Sequence, residues 1–101
     1  MTIIKELQEQ IDEELRDSEK YIRCALKKRD EDKNVADTYY LLSQEEMAHA
    51  EKLHKLVVDK IEEYKRTEGE PPAEMMFLYN YLHEREIEKM KDIKVMWSLY
   101  K

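Results

Sequence analysis

Glycine and proline are almost missing from this chain: one Gly and two Pro. Sandwiches and barrels need a turn signal about every 8–12 residues, so strand-rich folds are excluded. Cysteine is nearly absent too. Cys24 stands alone, which rules out an internal disulfide and any multi-cysteine zinc or rubredoxin-type iron site within one chain. A lone thiol reads as a small buried apolar group. Long hydrophobic runs are lacking. The longest, Met75 to Tyr79, falls far short of the roughly 20 residues that span a bilayer. Ile3 and Ile4 are followed at once by Lys5 and Glu6, so no signal-peptide core is expected. The expectation is a protein with no membrane partner, at work in the cytoplasm. The longest basic run, Lys27-Lys28-Arg29, is three residues long and is followed at once by acids, and the formal net charge is -6. The electrostatic footprint of a phosphate-backbone binder is missing, so no nucleic acid is expected as a partner.

What the chain does have is charge, 42% of its 101 residues. That length makes a single domain, and the composition makes it all-α. A first helix is expected over about residues 3–29, with Asp30-Glu31-Asp32-Lys33 turning the chain and Asn34 as candidate cap. A second runs over about 35–65, after which Thr67 to Pro72 supply a stop, a loop and a restart. A third spans about 73–100. Rods of this length, about 40–47 Å at 1.5 Å per residue, cannot hide their apolar stripes alone. The short first connection makes the first two helices antiparallel neighbours, a long hairpin with a third C-terminal helix.

Polar residues interrupt the stripes. Steps of three and four trace Ile4, Leu7, Ile11, Glu14, Ser18, Tyr21, Ala25 on the first helix and Val35, Tyr39, Leu42, Glu46, His49, Leu53, Leu56 on the second. A carboxylate on such a seam costs several kcal/mol unless a cation or hydrogen bonds compensate it. Glu14, Glu46 and His49 are therefore candidate metal ligands. If Glu13 or Asp17 were the ligand instead of Glu14, its side chain would have to leave the Leu7/Ile11 stripe. Reflection through a turn near Asp30 brings Glu14 level with Glu46 and His49, about 25 Å from the turn. Glu46 and His49, three apart, sit about one turn apart on one face and can reach a common ion.

Dinuclear sites in helix bundles take one Glu from each of two helices and a Glu-x-x-His pair from each of two others. This chain carries half of that set. On the third helix the seam Met75, Tyr79, Leu82, Glu86, Met90, Ile93, Trp97 offers no good ligand at the matching height, since Glu86 falls about 9 Å away, nearer His54. A second copy of the chain is the expected donor of the rest. His54, His83, Glu86 and Glu88 could make a secondary cation site but read more simply as surface charge.

The segment Gln44-Glu45-Glu46-Met47-Ala48-His49-Ala50-Glu51-Lys52-Leu53 resembles the second-helix motif of ferritin-like di-iron carboxylate proteins, and Glu14, Tyr21 and Ala25 resemble their first-helix pattern. The likeness covers about residues 7–60. Its half-length architecture is similar to encapsulated ferritins, whose subunits complete the site between chains. The resemblance implies a ferritin-like bundle completed by oligomerisation, a homo-oligomer of at least two chains, with residence inside a protein shell left open. It makes Glu14 a terminal or bridging ligand, Glu46 the bridging one, His49 terminal, and Tyr21 a hydrogen-bond donor behind them. The function implied is a ferroxidase that oxidises Fe(II) with dioxygen or peroxide for iron storage or detoxification, Mn or Zn being acceptable substitutes at the site. A rubrerythrin-like peroxide reductase drawing on an external electron donor, and a non-catalytic helical oligomer whose inward polar groups set register, are the alternatives.

Overall fold

The computed structural model describes residues 2–101. They form three helices, α1 (Thr2–Lys28), α2 (Lys33–Glu68) and α3 (Ala73–Tyr100), packed into a rod of 55 × 17 × 17 Å. No strand occurs among the described residues, and no helix among them is long and apolar enough to cross a membrane.

The first turn is tighter than expected. The carbonyl of Lys28 accepts from both Glu31 N and Asp32 N, and α2 starts on Asp32, whose side chain accepts from Val35 N at 3.2 Å. Asn34, the residue expected to cap, already lies inside the helix. A carboxylate at the positive end of a helix dipole, with its own oxygen aimed at the free amides, outcompetes the amide two residues later. At the other end α2 runs three residues beyond the expected 65 and stops before Gly69, whose φ of 89° suits glycine. Pro72 then starts α3, its carbonyl accepting from Met75 N and Met76 N.

The buried stripes repeat every seven residues. On α1 they are Ile4, Ile11, Ser18, Ala25 with Gln8, Leu15, Ile22 alongside, and Leu7 is buried outside both series; on α2, Ala36, Ser43, Ala50, Val57 with Met47 and Ile61; on α3, Glu86, Ile93, Tyr100 with Met90. A strict period of seven is the pattern of helices that supercoil around one another. The seams expected from sequence were one position out in α2 and partly so in α1. Leu15 and Ile22 take the interior where Glu14 and Tyr21 were expected, and Ala36, Ser43, Met47 and Ala50 take it on α2 in place of Val35, Leu42, Glu46 and His49. Small residues on α2 decide this, because they let the two backbones approach. Ser18 Oγ donates to Ser43 O and Ser43 Oγ to Ser18 O, both at 2.7 Å, which stitches α1 to α2 through their backbones. Trp97 Nε1 donates to Ser43 Oγ at 2.8 Å and ties α3 to the same point.

Helix α3 runs parallel to α1 and antiparallel to α2. Gln8 Nε2 donates to Tyr79 O, Lys89 Nζ to Glu19 at 2.8 Å, and Arg29 to Leu99 O at 2.8 Å, in step along α1. The hairpin with a third helix is thus as expected.

Candidate metal centre

Glu14, Glu46 and His49 come together on one flank of the α1–α2 hairpin. Each offers a ligand atom within 4.8 Å of the others, and among the described residues no other group of three or more His, Cys, Asp or Glu side chains does so. His49 Nδ1 lies 3.4 Å from Glu14 Oε2 and 3.7 Å from Glu46 Oε1. The antiparallel register does this: the Ser18–Ser43 stitch sits about one turn away and holds the two helices level. Neither Glu13 nor Asp17 belongs to the group; both are exposed.

The site flanks the core and does not lie within it. The Glu14 and Glu46 side chains are 27% and 21% exposed, and that of His49 is 53% exposed. An ion can reach it from solvent without opening the bundle. The groove beside it is lined by Gln10, Glu13, Glu14, His49, Lys52 and Leu53, all from α1 and α2. As expected, α3 brings no ligand here.

Two features fit a dication at this place. Glu14 Oε2 is buried and has no hydrogen-bond partner, a cost of about 1–3 kcal/mol that a metal–oxygen bond would remove. The carboxyl of Glu46 is pushed up to about 7, first by the proton it shares with Glu14, then by burial and by the charge of Glu14; the nearby His49 works the other way. Two carboxylates held this close repel unless a proton or a cation lies between them. Oxygen donors with one imidazole suit Fe(II), Mn(II) or Zn(II) rather than soft ions.

Tyr21, to which the resemblance gives a hydrogen bond behind the ligands, lies beside Tyr39. Its ring stacks on Tyr39, with centroids 6.0 Å apart, and no hydrogen bond joins it to Glu14 or Glu46 among the described residues. Two turns of helix, about 10 Å, separate it from Glu14. Nor are His54, His83 and Glu86 surface charges. Glu86 is buried at 3% exposure, and the two imidazoles are half-buried against each other. Only Glu88 stays on the surface, opposite Lys91 at 3.8 Å. The signal that locates the other three in the interior is the period of seven, which runs through 40, 47, 54, 61 on α2 and through 76, 83, 90, 97 and 79, 86, 93, 100 on α3.

Comparison of the chain with protein-family models, with curated proteins and with solved structures returns no match.

Proposed function

We propose that this protein binds a pair of Fe(II) ions between two copies of the chain and oxidises them, as a ferroxidase of the ferritin-like kind. The observation that carries the reading is the convergence of Glu14, Glu46 and His49 to within 4.8 Å across two helices. It is the donor set of one half of a dinuclear carboxylate site.

A second copy is supported by the surface around that half. Val35, Tyr39, Leu42, Leu53 and Leu56 run along α2 in line with Glu46 and His49, yet the bundle covers them only partly, with Val35 and Leu56 40% and 42% exposed. An apolar stripe on both sides of a charged site is a surface suited to another helix pair. Two copies meeting there supply four carboxylates and two imidazoles, enough to offset the charge of two dications.

In the reaction iron is the substrate. Two Fe(II) each lose one electron, and dioxygen takes both with two protons to leave as hydrogen peroxide. The chain's own groups hold the ions and manage protons. Glu46 carries a proton near neutrality when it faces Glu14 alone, and releases it when a cation takes that place. His49, on the solvent side, stands where an incoming ion first meets the site.

Stopped-flow absorbance of Fe(III) formation tests this. Glu46→Ala and His49→Ala should each abolish rapid oxidation of Fe(II) while leaving the helical circular dichroism intact. Wild-type rates in either variant overturn the assignment.

A further inference from the structure

Two histidines occupy interior positions of the seven-residue pattern where an aliphatic side chain would pack better: His54 on α2 and His83 on α3. Their rings lie at 4.5 Å between centroids and 19° between planes, and His54 Nε2 stands 3.1 Å from His83 Nδ1. Tyr79 lies parallel to the other side of His83, 5.7 Å away at 5°, and fixes the plane of that ring. Each imidazole has the other as its polar partner, and both remain half-exposed, within reach of a hydrated ion.

We propose that His54 Nε2 and His83 Nδ1 form a second, separate metal site, a two-imidazole clamp between α2 and α3 for a borderline transition-metal dication such as Cu(II) or Zn(II). Geometry is the main argument. With metal–nitrogen bonds of 2.0–2.1 Å, two nitrogens 3.1 Å apart subtend about 95–100° at the ion, between the cis angle of a tetragonal site and a tetrahedral angle. An ion with such bonds sits about 1.3–1.4 Å to the side of the line between the two nitrogens, so the shared proton leaves and the rings turn to aim their lone pairs at it. Water completes the coordination from the exposed side.

Donor chemistry separates this site from the first. Glu14, Glu46 and His49 are mostly hard oxygen, whereas the clamp is all nitrogen and follows the order in which imidazole sites favour Cu(II) over the earlier dications. Burial and the neighbouring His83 both hold the His54 pKa below its usual value, so His54 is in the neutral form that binds metal. The clamp joins α2 to α3; among the described residues the other side-chain hydrogen bonds between these helices are Trp97 to Ser43 and Tyr100 to Asp37, more than two turns away. A bound ion would therefore pin the middle of α3 to the hairpin.

The test uses Cu(II) alone, added to metal-free full-length protein carrying Glu14→Ala/His49→Ala, which removes the first site. The expected result is one Cu(II) per chain with a two-nitrogen hyperfine pattern in electron paramagnetic resonance. Adding His83→Gln should weaken binding at least about tenfold and reduce the pattern to one nitrogen. Absence of nitrogen-coordinated Cu(II) in the Glu14→Ala/His49→Ala protein, or equal affinity after His83→Gln, overturns the proposal. Should His83→Gln fail to fold, proton NMR on the Glu14→Ala/His49→Ala protein decides instead. Zn(II) should shift the ring protons of both His54 and His83, and unchanged resonances would refute the site.

Discussion

Two glutamates hold protons at unusually high pH in this molecule, and their causes differ. For Glu46 the first cause is the proton shared with Glu14, the sign of charges brought together beside solvent. For Glu86 it is burial, with the Asp12 carboxyl beside it adding to the effect, and the result is a carboxyl pushed up to about 8. One Glu86 oxygen has no hydrogen-bond partner. Below pH 4.5 folded and unfolded chains both carry that proton and this group takes nothing from stability. As pH rises toward 8 the unfolded chain loses the proton while the folded chain retains it, so stability falls across that window. Glu86→Gln removes this slope. Urea melts should find the variant more stable than wild type by about 2 kcal/mol at pH 8 and indistinguishable at pH 4. A difference that is the same at both pH values would mean that Glu86 ionises freely. Little of this was legible in the sequence. Glu86 falls on a seam whichever way α3 is read, but whether a lone glutamate on a charged helix is buried depends on which neighbours close over it, here Asp12 and Leu15 of α1.

At the scale of the helices, sequence spacing sufficed for number, order and direction, because two turns and three amphipathic runs leave one economical arrangement. It did not suffice for rotation about each axis. Steps of three and four fit both Ile11-Glu14-Ser18-Tyr21 and Ile11-Leu15-Ser18-Ile22, and only packing selects the second. The small residues Ser18, Ser43, Ala36 and Ala50 make the selection by drawing α1 against α2. The candidate ligands converge all the same, since register along the axis depends on distance from the turn and tolerates a rotation of one position. They converge on the flank of the hairpin, where α3 does not reach. Leu15→Ala should therefore lower stability by about 2–5 kcal/mol, while Glu14→Ala, one residue earlier, costs none in metal-free protein and raises stability by up to about 1–3 kcal/mol, because it removes a buried oxygen without a partner. Denaturant midpoints of the two variants check this, and a larger loss for Glu14→Ala would restore the seam read from spacing alone.

The whole molecule is a rod that leaves many large apolar side chains exposed. Beyond the stripe beside the candidate ligands, Phe77 and Leu99 on the outer face of α3 are 76% and 61% exposed. The proposed pairing of two copies rests on these exposed apolar faces together with the Glu14, Glu46 and His49 cluster on one flank. The most direct measurement is anomalous diffraction at the iron edge from crystals soaked anaerobically in Fe(II). The account predicts two neighbouring iron positions where two copies meet, held between them by Glu14, Glu46 and His49 of both. Iron bound elsewhere, or a single ion served by one chain and facing open solvent, would contradict it.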